Sequence, residues 1–165
     1  MVIVRAKASG VGRRTLERFL VRAQRAAGVS GEVNVLLTGS TEMRRLNREF
    51  RGQDRATDVL SFPASVNGAG GELAVSAPLA ARNARGLGHS TGKEVQVLIM
   101  HGLLHLAGYD HERDRGRMAR QEAKLRRALG LPVGLIERAL QRGEPARRRQ
   151  GRTRPGNSRA MNPKP

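Results

Sequence analysis

The stretch from Thr91 to Leu106 constrains this chain most. Val95, Leu98, Ile99, Leu103 and Leu106 make it apolar around most of a helical circumference. A helix that is apolar nearly all round has to be buried, so it belongs at the centre of the fold. The same helix carries His101 and His105. Residues four apart on a helix stand one turn apart on one face, so both imidazoles can reach one ion. Gly108 follows, the residue type that lets a helix end in a left-handed turn. After such a turn the chain can double back and bring His111 in from the side. Three ligands with a fourth position left for water is the plan of a catalytic zinc site. A structural site would close its shell, usually with cysteine, and the chain has none.

The other elements are arranged around this helix. Residues 2–7 read as a first strand. Leu16, Phe19, Leu20, Ala23 and Ala27 follow the helical repeat, and Gly28 ends that helix. Residues 33–38 form a second strand. Ser40 and Thr41 can cap a short helix with Met43, Leu46 and Phe50 on one face. Residues 58–62 are strand-like and Pro63 closes them. The glycine-rich turn 65–71 returns the chain as a hairpin partner over 72–76. Pro78 starts a helix that runs to about Arg85. After the histidine helix, a helix over about 112–129 turns Met118, Leu125 and Leu129 inward, and Pro132 opens a last one with Val133, Ile136 and Leu140. The order predicts an α+β fold: a single domain with a small mixed β-sheet packed against helices, and a central helix carrying the metal-binding histidines.

The 165 residues suffice for one domain, over 1–141, with a basic, disordered tail over 142–165. The net charge is +17. From Arg142 onward eight Lys or Arg meet one acid, a local +7 that leaves +10 on the domain. A field of that sign favours polyanions. With three Phe and one Tyr, base stacking is not the main grip, so arginine–phosphate contacts would dominate. No segment is apolar enough to span a bilayer, and the lack of cysteine fits the cytoplasm. His89, in a Gly-Leu-Gly-His-Ser loop, reads as solvent-exposed.

Two segments carry a family resemblance. One runs Leu46-Asn-Arg-Glu-Phe-Arg51 and on through Thr57-Asp58-Val-Leu-Ser-Phe-Pro63. The other runs His101-Gly-Leu-Leu-His105-Leu-Ala-Gly-Tyr-Asp-His111. Together, in order and spacing, they resemble the YbeY family of bacterial endoribonucleases over about residues 1–140. The resemblance implies a single-strand-specific, zinc-dependent RNA hydrolase. It would act in maturation of the 3′ end of small-subunit (16S) rRNA and in ribosome quality control. Its partners would be ribosomal RNA, the small ribosomal subunit, and ribosomal or assembly proteins. One Zn2+ would sit on His101, His105 and His111, and Arg51 would contribute to activity. One departure is Glu72, where the family commonly has aspartate.

The chemistry suits these residues. Zinc lowers the pKa of bound water toward neutrality and polarises phosphoryl oxygens. Arginine's planar fork holds two phosphate oxygens and stays charged. Asp110 and Glu112 flank His111 as a turn residue and a helix-start acid, and could also orient an imidazole. Asp58 and Thr57 could pin the loop carrying Arg51 through side-chain-to-backbone bonds. The histidine spacing also fits a metalloprotease pattern in which glutamate follows the first histidine. Here that position is Gly102, so the protease base is missing. A non-catalytic ribosome assembly factor is the other alternative.

Overall fold

The computed structural model describes residues 1–65 and 69–142. The middle of the glycine-rich turn and the basic tail from residue 143 lie outside the described residues. The elements run β1 (Val2–Val4), α1 (Arg13–Ala27), β2 (Val33–Thr38), α2 (Ser40–Arg51), β3 (Val59–Pro63), β4 (Gly71–Ser76), α3 (Ala77–Leu87), α4 (Thr91–Leu106), α5 (Arg117–Leu129) and α6 (Leu135–Gln141). The strands form one mixed sheet in the order β1-β2-β4-β3. The first two pairings are parallel, and β3 lies antiparallel on the edge. This is the α+β arrangement expected from the sequence.

Side chains alternate across a strand, which sorts the sheet into two faces. Leu73 and Val75 point to the main core, with Val95, Leu98, Ile99 and Leu103 of α4. Leu60 and Ala74 point the other way, onto Met43 of α2. So α2 covers one face and α4 the other, with α1, α3 and α5 packed around α4. Gly102 makes the close approach of α4 possible. A Cβ there would lie 2.7 Å from Leu73 Cδ2 and 3.2 Å from Ser61 Oγ.

Several boundaries differ from the expected ones, each for a local reason. β1 stops at Val4 because Arg5 N and Ala6 N both donate to Leu37 O, which ends the ladder. α2 is capped by Gly39, and Ser40 is its first residue. Phe50 is exposed and packs edge-on against Phe62, with ring centroids 5.0 Å apart. α5 starts at Arg117 because Asp114 caps it: the carboxylate accepts Met118 N at 2.7 Å and Gly116 N at 3.1 Å. α6 starts after Gly134, two residues past Pro132. His89 is not in solvent. Its side chain is 15 % exposed, and its Nε2 lies 2.7 Å from a carboxylate oxygen of the buried Glu94. No helix among the described residues is long and apolar enough to cross a membrane.

Candidate metal centre

His101 and His105 leave α4 on the same side, one turn apart. The helix ends at Leu106 with Ala107 as its C-cap, and Gly108 takes a left-handed conformation (φ +94°). Its N–H donates to His105 O and that of Tyr109 donates to Leu104 O, each at 3.0 Å. Asp110 then holds the turn. Its backbone carbonyl accepts Arg113 N and Asp114 N, and its carboxylate accepts Glu112 N. The reversal brings His111 back over α4. The ligating nitrogens of His101, His105 and His111 all lie within 4.8 Å of one another.

The two helix histidines are fixed in a tautomer. His101 Nδ1 is 2.8 Å from Glu122 Oε2, and His105 Nδ1 is 3.0 Å from the carbonyl of Tyr109. A carbonyl only accepts, so Nδ1 of His105 donates. A carboxylate imposes the same on His101. Both Nε2 atoms therefore present lone pairs, and they face each other at 3.1 Å. Two such nitrogens held that close share a cation, a proton or a metal ion, so the residues fit a metal ion. Imidazoles as the donors suit zinc, and also nickel or cobalt. Burial pushes the His105 pKa down to about 3, helped by His101, His111 and the charge of Arg51, so this imidazole is neutral and ready to ligate.

Glu122 is the residue that sequence reasoning missed. It is 1 % exposed on α5, and besides His101 it accepts Ile136 N at 2.8 Å through Oε1. A carboxylate that fixes a ligating imidazole raises its basicity and sets its orientation. The signal was present: Glu122 lies on the same inward stripe as Met118 and Leu125, an acid where an apolar residue belongs. Asp110 acts as a turn residue, and Glu112 stands at the mouth of the cleft.

The histidines open into a cavity of about 500 Å³ whose wall also includes Arg51, Asn47 and Arg55. Arg51 is the last residue of α2, close enough for its charge to act on His105. The loop after it is pinned by Asn47, 2 % exposed, whose Nδ2 donates to Arg55 O at 2.8 Å. Asp58 does a different job from the expected one. Its carboxylate accepts Val59 N and its carbonyl accepts Ser76 N, which fastens β3 to the end of β4. Glu72 is on the opposite face of the sheet, against a cavity beside α2, and does not line the histidine cleft.

A family model described as endoribonuclease YbeY matches residues 4–130, which include β2, β3, β4 and the histidine loop. The chain belongs to the YbeY family. A curated relative from Koribacter versatilis, named endoribonuclease YbeY, is 51 % identical over 152 residues, covering 92 % of this chain and 100 % of the relative. One of the same name from Solibacter usitatus is also 51 % identical, over 76 % of this chain and 85 % of its own length. The solution structure of TM1509 from Thermotoga maritima is similar at a TM-score of 0.57 and 29 % identity, covering 92 % of this chain and 99 % of that one. The YbeY-family match covers α4 and the loop after it, so His101, His105 and His111 fall within the matched segment.

Proposed function

We propose that this protein is a zinc-dependent endoribonuclease that cuts single-stranded RNA, with the 3′ end of small-subunit rRNA as its substrate and the cytoplasm as its site of action. The observation that carries the reading is the facing pair of Nε2 atoms 3.1 Å apart, in a cleft whose wall includes an arginine. Family membership supports the RNA-cleaving activity.

When bound to His101, His105 and His111, zinc supplies a Lewis acid that polarises water and a phosphoryl oxygen. The residues of the chain do the rest. Glu122 and the Tyr109 carbonyl hold the two helix imidazoles with Nε2 inward. Arg51 takes a non-bridging phosphate oxygen and stabilises the negative charge that develops on phosphorus. Asn47 keeps the cleft's rim in place through Arg55. The net charge of +17 draws the polyanion in. A protease is disfavoured beyond the missing base, because position 102 faces Leu73 and Ser61 in the core and has no room for a glutamate.

The test is cleavage of a single-stranded fragment carrying the 3′ end of small-subunit rRNA, by the parent and by His105→Ala purified identically. Cutting by the parent alone is expected. Equal cutting by both would place the activity in a contaminant. Binding without cutting by either would favour the assembly-factor reading.

A further inference from the structure

A second cavity, of about 430 Å³, adjoins the histidine cleft. The two share wall residues Arg55, Thr57, Asp58, Leu135 and Ala139. The rest of the second wall brings Arg82 from α3 together with Arg138 and Arg142 from the end of α6. Four arginines thus meet one carboxylate, Asp58, whose oxygen already accepts Val59 N.

Arg138 is the buried one of these four arginines. It is 6 % exposed, and its Nη1 alone is bonded, to the two carboxylate oxygens of Glu94 at 3.0 and 3.2 Å. Its Nε and Nη2 are buried with no hydrogen-bond partner among the described residues. Glu94 is already shared, because one of its oxygens also pairs with His89. A buried guanidinium with two unmet donors is costly, and a purely structural ion pair would have closed both edges on its carboxylate. An acceptor that is anionic and has several oxygens would suit the arginines of this wall. Phosphate fits that description, since its oxygens match the guanidinium fork.

We propose that this cavity is a phosphodiester subsite, in which single-stranded RNA lying in the histidine cleft sets a neighbouring backbone phosphate against Arg138, Arg82 and Arg142. The inference rests on the reading of the cleft as an RNA site and adds where the strand goes. Contacts to backbone phosphate carry no sequence information but fix register and direction. The subsite would therefore decide which bond of the strand meets the metal centre.

The experiment measures binding of a fluorescein-labelled single-stranded RNA of roughly ten nucleotides, within the usual site size, to the full-length chain. Anisotropy is read across a salt series, with and without zinc. Arg82→Gln/Arg142→Gln removes two cavity charges and leaves the Arg138–Glu94 pair intact. Arg18→Gln/Arg22→Gln removes the same charge from the exposed side of α1, outside both cavities. The cavity pair should weaken binding about tenfold and flatten the salt slope by roughly 0.7 per lost contact, while the control pair should change affinity less than about twofold. Equal weakening by the two pairs would mean diffuse attraction and overturn the subsite. So would no weakening by the cavity pair, or a parent that does not bind RNA. Binding without cleavage would overturn the nuclease reading and leave this test standing.

Discussion

His101 and His105 are held by different means from His111 and Arg51. The first two sit on a helix locked into the core by Gly102 against the sheet, and their rings are turned by Glu122 and Tyr109. The other two depend on chain ends and turns: Asp110 and Asp114 shape the loop of His111, and Asn47 ties down the loop after Arg51. Apolar packing thus positions the half of the site that must be rigid. Hydrogen bonds in turns and at a helix end position the other half, and such segments open at lower free energy than a core. Changes to the first half should therefore cost stability or metal. Changes to Arg51 should cost turnover, and changes to His111 metal, with the fold retained.

The largest effect is expected at Gly102. Gly102→Glu restores the glutamate of the metalloprotease pattern, yet it should give no peptidase. It forces a charged side chain into Leu73 and Ser61 and should destabilise the domain by more than about 3 kcal/mol, read as a fall in the urea midpoint. An active peptidase of parental stability would break the contrast at its strong end. Arg51→Ala should leave zinc content and melting temperature unchanged while lowering kcat at least roughly a hundredfold, the usual loss for one charge-stabilising donor. Loss of zinc in that variant would make Arg51 structural instead.

Glu122→Gln sharpens the comparison from the core side. One amide cannot accept from both His101 Nδ1 and Ile136 N. Zinc affinity should drop about 10–100-fold, measured by competition with a chromogenic chelator, and unchanged affinity would remove Glu122 from the account. Asp114→Ala should be the mildest. It deletes a helix cap worth about 1 kcal/mol. Faster amide exchange should be confined to residues 110–118, while α4 keeps its protection. Uniform acceleration would show that the loop and the helix are one cooperative unit.

This division also explains what was legible in the sequence. The histidine helix, the four strands and the spacing of the three histidines are periodic or local signals, and the structure brings those residues together as the spacing implied. The starts of α5 and α6 were misplaced because a cap or a glycine decided them. Glu122, Asn47 and Asp114 were not read at all, or not for their roles. Glu122 owes its function to a partner fixed by tertiary folding, His101, 21 residues before it, while Asn47 and Asp114 bond to nearby loop backbone that carries no periodic signal. The network of His89, Glu94 and Arg138 was not legible either, because Arg138 reaches Glu94 from 44 residues away.

The central claim is that one metal ion on His101, His105 and His111 cuts RNA. Its most direct test is to titrate zinc into the metal-free chain while following cleavage of the rRNA 3′-end fragment. The account predicts activity that rises linearly to a single equivalent of zinc and then stops, and none at any zinc concentration in His105→Ala. Full cleavage before zinc is added, or a variant that titrates like the parent, would contradict it.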